Sequence, residues 1–521
     1  MPVTDQLSPF VVSCDGGLLL DRSSFSIYPG AAFELQNYEP NIAGGYRRIS
    51  GFEKYSTTAL SGTGKILGLV TLGNSVIGAR GANVEHGTGT TWTSITGART
   101  NAKKYVFDKY NWTGTEVLIM ADSVNPAATW DGSTYILMNG ALGTGSGTAP
   151  TAPVTVQEHR NHIFYGQDHL LTFTAPFDAN DFTPGAGAGQ IVVPEGIVTI
   201  KSWRDVLFIF CSNSIYQLAG SSVDDFVLKP VTKNIGIRAK FSVQEIKGDL
   251  IYLAPDGLRN IAGTDKLDDT ELGTISKTIQ ERLQGVTEST DDSEDISSLV
   301  IRNKTQYRTW FPQTAQSAAS TTGLMAVFKR KFSTTTQIEN PEETAGGWEF
   351  ADLLGFKPSV AYSDFISGIE TVFHGDFSNG LVYKQESSLD TFDGTNINAR
   401  FRSPDLILGD IGIRKNIQRV ILHLDNEGTT DSTLIVSYNF DDPDTPQPSS
   451  YSISNTAGGA TYGALTSVYG TSAYNIPLLN IQRQSVEGSG FTVAIRINDT
   501  NGGNPYTIKG FQIEFVPDGR R

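Results

Sequence analysis

The stretch Glu158-His159-Arg160-Asn161-His162 sets two imidazoles and a carboxylate close together, the side-chain types that hold zinc. A helical H-E-x-x-H pattern puts both histidines on one face with a glutamate base between them, but Arg160 and Asn161 occupy the intervening positions here. The stretch also leads into a β run, where side chains three apart point to opposite faces, so no metal site is expected. Gly185-Ala186-Gly187-Ala188-Gly189 has the glycine content of a phosphate loop but no βαβ context, and reads as a surface loop. Neither a G-x-S-x-G elbow nor a P-loop occurs. The acidic groups Asp441, Asp442, Asp444 and Asp291, Asp292, Glu294, Asp295 have the oxygens for calcium without the glycine spacing of an EF-hand, and read as solvated turns. Asp178, Asp181, Asp224, Asp225 and Asp376 lie near strand ends, where paired carboxylates hydrolyse glycosidic bonds. No recurring cluster of Arg, Glu and Tyr accompanies them. The expectation is no catalytic residue, no metal and no cofactor.

The elements that would carry such groups are short β hairpins. Ile66 to Val70 turns at Gly73-Asn74 into Ser75 to Ala79, and Asp205 to Phe210 turns at Ser212-Asn213-Ser214 into Ile215 to Leu218. Gly248 to Leu253 turns at Pro255-Asp256-Gly257 into Leu258 to Ile261. Units of this kind centre near Val70, Leu118, Phe164, Phe208, Ile251, Val327 and Val372. A spacing of about 35 to 50 residues between hairpin units marks a β-propeller, because one thin sheet cannot bury both faces alone. The fold class is therefore all-β: a six- or seven-bladed propeller over 61–394, an N-terminal extended arm over 1–60, and a C-terminal β-sandwich-like unit over 395–521. In that last unit Thr433 to Phe440, Gly490 to Ile497 and Gly510 to Val516 alternate with period two. Leu272, Ile275, Ile279 and Leu283 lie on one face of a helix near 271–285, with Thr270 as its cap, packed across the disc or against another chain. The Gly/Ala-rich stretches 140–153 and 184–189 are surface loops.

Composition narrows the function classes. The chain has 521 residues, 54 of them glycine, which suits many turns between many short strands. Only 18% of residues are charged, below the roughly 25% usual in soluble domains, a mark of obligate assemblies or of a Ser/Thr/Asn-rich surface. The formal charge of −15 argues against tight nucleic-acid binding and is compatible with a surface that DNA passes without sticking. Cys14 and Cys211 give no disulfide framework, and Cys211, at the end of an apolar run, reads as a buried free thiol. No apolar run approaches the ~18 residues of a membrane span, and the opening residues lack a signal-peptide pattern.

Several stretches resemble the tail nozzle proteins of short-tailed bacteriophages, also described as tail tubular protein B or packaged-DNA stabilisation proteins. They are Pro29 to Tyr38, Gly45 to Phe52, Ser202 to Phe210 with Ser214 to Leu218, Gly236 to Val243, Tyr252 to Leu258, Asn303 to Trp310 and Ile508 to Phe515. The resemblance covers most of the chain as a pattern of turns and aromatics. It implies a virion tail protein, assembled in the host cytoplasm, that forms a homo-oligomeric ring, hexameric in order, below a portal-adaptor protein and beside tail fibre or tip proteins. Its lumen would retain packaged DNA and conduct it at ejection without specific binding. Loops such as 140–153 would narrow that bore. Two other readings are a receptor- or fibre-proximal glycan-binding tail protein and a propeller enzyme degrading polysaccharide. Arg47, Arg48 and Trp203 are the candidates for subunit contacts or fold support; a solvated pair for the arginines and core packing for Trp203 are the alternatives.

Overall fold

The computed structural model describes residues 7–138, 148–262, 274–290, 292–315, 317–318, 321–329, 347–387, 390–455 and 480–520. Gly140 to Gly147 of the expected loop, Thr270 and Leu272 of the expected helix, and Asp291 lie outside them.

Burial falls from the axis outward, and that gradient makes the blades. Blade one comprises Ile66–Leu72, Ser75–Arg80, Asn83–Gly87 and Trp92–Thr96 in that order. Every residue of its innermost strand is buried, whereas none of the outermost is. A strand covered on both faces reads as an unbroken apolar run, which is why the inner strands stand out in the sequence. Blades two (Val106–Tyr110 to Tyr135–Leu137), three (Thr155–His159 to Gly189–Val192) and four (Ile197–Trp203 to Val227–Thr232) repeat the meander. Blade five has three strands among the described residues, Gln244–Ile246, Asp249–Ala254 and Gly257–Asn260, with Thr274 bridged to Arg259 on its outer edge. Blade six is Ser297–Ile301, Gln306–Phe311, Thr322–Lys329 and Gly347–Leu353. Blade seven is Pro358–Ile366, Ile369–Asp376 and Val382–Gln385, completed by Phe52–Lys54 from the arm. Among the described residues the ring thus holds six four-stranded blades and one three-stranded blade.

Period-two alternation sets the packing between blades. In Val117–Ala121, Leu118 and Met120 face the apolar cluster shared with blade one, while Ile119 and Ala121 face the cluster shared with blade three. In Val206–Cys211, Leu207, Ile209 and Cys211 face blade three, and Phe208 and Phe210 face blade five. Each Leu, Ile, Met or Phe among them contributes about 1.5–3 kcal/mol on burial. Near the axis the sheets come too close for every position to hold a side chain. A Cβ at Gly68 would lie 2.6 Å from the Phe107 ring of blade two, and one at Gly375 would lie 2.8 Å from Ile66 of blade one.

The arm is shared out among the chain's own sheets. Ser8–Ser13 pairs with Tyr506–Arg520, and the hairpin Tyr38–Pro40 and Tyr46–Arg48 joins the same strand. These form a seven-stranded sheet with Ile413–Asn426, Asn480–Ser485 and Ser489–Gly490. Glu34–Gln36 lies between Gly347–Leu353 of blade six and Ala399–Arg402, so blade six continues through the arm into Val493–Asp499, Thr430–Tyr438 and Tyr451–Asn455 as one nine-stranded sheet. The two sheets of the C-terminal unit sandwich an apolar core that also takes in residues of blades five and six.

The helix is Gln280–Glu288, preceded by a 3-10 turn at Lys277–Ile279. It starts later than the periodicity predicts because the edge of blade five still holds the chain there: Thr274 bridges Arg259, and the Ile275 amide donates to the Leu258 carbonyl. Ile279 and Leu283 enter the large core, so the helix packs on its own chain.

Ring closure rests on an aromatic cluster around Phe52. Its ring stacks on Phe392 at 4.9 Å and meets Tyr383 at 5.1 Å, Phe356 at 5.5 Å and His374 at 4.9 Å. His374 is fully enclosed, and burial pushes its imidazole down to about 3, so it is neutral in the fold. Phe52→Ala is expected to cost about 3–5 kcal/mol in denaturant unfolding; a loss below about 1 kcal/mol would contradict this closure. As pH falls below the ordinary imidazole value of about 6.5, the unfolded chain takes up a proton that the folded chain refuses. Stability should therefore fall with acidification from about pH 6.5 towards pH 3, by up to about 1.4 kcal/mol per pH unit for this group. Urea midpoints across that range should fall less steeply in His374→Gln, and parallel curves for the two proteins would rule out the histidine's part.

Candidate functional site

The structure scatters the residues that the sequence offered for chemistry. Arg160 and Asn161 have φ of 51° and 65° and form the two-residue turn of a hairpin, so His159 and His162 are directly paired across it. The expectation that they face opposite sides is therefore wrong, because the stretch is a hairpin rather than a single strand. Each imidazole is engaged separately: His159 Nδ1 lies 2.8 Å from Ser202 Oγ, and His162 Nδ1 donates to the Thr174 carbonyl at 2.6 Å. Both rings pack on Phe164. No group of three metal-ligating side chains occurs among the described residues. Asp178, Asp181, Asp225 and Asp376 each accept backbone amides of their own turns, and Asp224 lies in the exposed loop beside Asp225. Asp441 binds Arg402 and Arg496, and Asp295 binds Lys65. Pro184–Ala186 is a single 3-10 turn closed by Gly187. Cys14 and Cys211 are both buried and free.

Arg48 is fully buried. It donates to Asp499 at 2.8 Å and to the carbonyls of Asn501 and Gly503, riveting the arm to the C-terminal unit. With no exposure, its side chain acts within its own fold, the fold-support role of the two the sequence left open. Arg47 spans Glu39 at 3.0 Å and Glu427 at 2.5 Å within the chain. Glu39 also receives Lys304, Gln306 and, at 3.5 Å, Arg308, which in turn binds Glu386. Trp203 packs in the cluster between blades four and five, with the Arg204 guanidinium 4.5 Å above its ring.

What the fold does bring together lies on the propeller axis. The inner strands of the blades surround a cavity of about 370 Å³. Its wall carries Lys104, Lys109, Lys201, Lys240 and Arg302 against two carboxylates, Asp108 and Asp364. A second cavity, of about 640 Å³, opens at the end where the inner strands begin, and Lys240 lines both. The axis is thus basic inside an acidic chain. Asp364 accepts from Lys109 at 2.8 Å, Thr71 at 2.6 Å and Tyr362 at 2.8 Å; burial opposes its ionisation, but these bonds win and hold it at about 2. Asp108 is pushed up to about 6 by burial, and its carboxylate takes Gln157 at 2.8 Å and the Glu158 amide. Burial pushes Lys104 down to about 7 and Lys240 down to about 8. Volumes of about 300–1,000 Å³ fit small molecules, and a duplex whose major groove alone is about 12 Å wide does not pass. Sequence reasoning overlooked these lysines. The available signal was charge placed inside the inner-strand runs, as in Val106-Phe107-Asp108-Lys109 and Ile200-Lys201.

No family model matches the chain, and no curated protein matches it. Several solved structures align with part of the chain at low identity. The extracellular domain of a proposed hybrid two-component system, BT4673 of B. thetaiotaomicron, aligns over 71% of this chain and 42% of its own, at 8% identity and a TM-score of 0.40. The computationally designed Ika8 protein aligns over 64% and 99%, at 9% identity and 0.36. An ancestral GH74 enzyme aligns over 66% and 49%, at 8% identity and 0.38. The chain thus spans less than half of the first of these and about half of the third. At these scores the likeness carries no argument about function.

Removing Arg48 strands Asp499, whose carboxyl burial already raises above its usual range. Arg48→Met is expected to cost about 3–5 kcal/mol, and adding Asp499→Leu to recover most of it, because a dry apolar pair replaces an orphaned charge. Equal losses in the single and double variants, measured by chemical denaturation, would contradict the rivet.

Proposed function

We propose that this chain is a structural subunit of a short-tailed phage tail, in the nozzle position, and that copies of it form a ring whose bore conducts DNA. The observation that carries this reading is the arm. The segments that resemble the family's opening, Pro29 to Tyr38 and Gly45 to Phe52, are the ones that supply strands to blade six, blade seven and the C-terminal sheets. They make propeller and sandwich one continuous body, as a wall under load requires. The propeller axis is too narrow for a duplex, so the bore lies between copies, enclosed by a head-to-tail contact that closes on itself. A net charge of −15 favours passage of DNA without adhesion. The role asks for no catalytic group, and the axial carboxylates, bonded to Lys109 or to backbone and amide donors, suit a scaffold better than a glycosidase.

Light scattering on size-exclusion fractions and negative-stain microscopy test this reading, alone and beside a portal-adaptor complex. Rings with a central hole are expected. Lone compact particles at every concentration, with or without the adaptor, would overturn it.

A further inference from the structure

Three lysines at the propeller axis have no ion-paired carboxylate among the described residues. Of the five cations on the cavity wall, Lys109 is ion-paired to Asp364 at 2.8 Å, and Arg302 reaches Glu370 at 3.7 Å. Lys104 is 4% exposed and donates only to the main-chain oxygen of Asp295, at 3.1 Å. Lys240 is 7% exposed, and its one hydrogen bond among the described residues is to Ser123 Oγ, at 3.4 Å. Lys201 has no hydrogen bond or ion pair among the described residues, although it is near enough to Asp108 to favour that carboxylate. Lys104 and Lys240 converge on one ring, lying 5.0 Å and 5.3 Å from the centroid of Phe241. Burying an unpaired cation is costly, and an anion brought in by a ligand would offset that cost.

We propose that the axial cavity binds a small oxyanion, a molecule that presents a phosphate or carboxylate group to Lys104, Lys201 and Lys240. The volume of about 370 Å³ admits a group of that size with room for the rest of a small molecule. Lys240, on the wall of both cavities, marks the way in from the wider one. A carboxylate also lines the cavity at Asp108; its Oδ2 accepts from Gln157 and the Glu158 amide, and it is the acidic neighbour of Lys201. This site is independent of ring formation.

The charge balance fixes the pH dependence. Lys104 is faced by Lys65, Asp292, Glu294 and Asp295, and Lys240 by Lys103, Asp122 and Glu294. Burial outweighs those carboxylates, so both amines lose protons near neutrality. An anion restores the charged form. Binding therefore takes up protons and weakens as pH rises through about 7 to 8.

The test is titration calorimetry and thermal unfolding of the full chain with inorganic phosphate and with pyrophosphate, chloride holding ionic strength constant. Saturable binding near pH 6.5, weaker near pH 9, is expected. Lys104→Met and Lys240→Met should each weaken it by about tenfold or more, the worth of a charged hydrogen bond. Without anion both variants should melt no lower than the parent, because each replaces a buried amine that burial already discharges with an apolar side chain. Absence of saturable binding, equal binding by parent and variants, or variants that unfold early without ligand would each overturn the proposal.

Discussion

A propeller closes only if its last sheet meets its first, and here three residues make that join. Phe52–Lys54 supplies the outermost strand of blade seven immediately before the chain enters blade one. With that pairing, the apolar faces of blades seven and one, Phe373 and Val382 against Ile66 and Leu69, are held together. Without it, two faces of a ring otherwise packed blade on blade would lie open. The remaining blades are positioned by neighbours on both sides; this junction also depends on a segment far from blade seven in sequence, and so on long-range contacts formed late.

The same arm explains why the C-terminal unit is not an appendage. Glu34–Gln36 sits as a strand between blade six and Ala399–Arg402, and the Tyr38–Arg48 hairpin edges the second sheet. Three buried polar contacts pin the arrangement. Arg48 meets Asp499, Tyr38 and Tyr506 share a hydroxyl bond at 2.5 Å, and Glu39 gathers Arg47, Lys304 and Gln306. In a low-dielectric core such groups tolerate few alternative arrangements, so they fix register as well as contribute stability. Disc and sandwich are thereby joined through one continuous sheet.

The sequence made the hairpins legible because their signals are local. The seven centres at Val70, Leu118, Phe164, Phe208, Ile251, Val327 and Val372 fall one to a blade, since a buried inner strand is a run of apolar residues next to a tight turn. The arm was legible as short strands but not in its pairing, which joins residues hundreds apart. The histidine pair was misread for a related reason. Nothing in Arg160-Asn161 is a strong turn signal, yet both residues adopt positive φ, and the reversal puts the imidazoles on one side. Arg47-Arg48 drew attention as charge in an acidic chain, but Arg48 is internal because its partner, Asp499, comes from the far end of the sequence. The axial lysines escaped notice because a single lysine in a β run looks solvated until seven sheets turn it inward.

The central claim is that arm, propeller and sandwich are one cooperative body. Native-state hydrogen exchange on the purified chain tests it most directly. The account predicts that amides of Glu34–Gln36, Tyr46–Arg48 and Phe52–Lys54 exchange with the same opening free energy as the inner strands Ile66–Leu72 and Ser297–Ile301. Early exchange of the arm, while those inner strands stay protected, would contradict it.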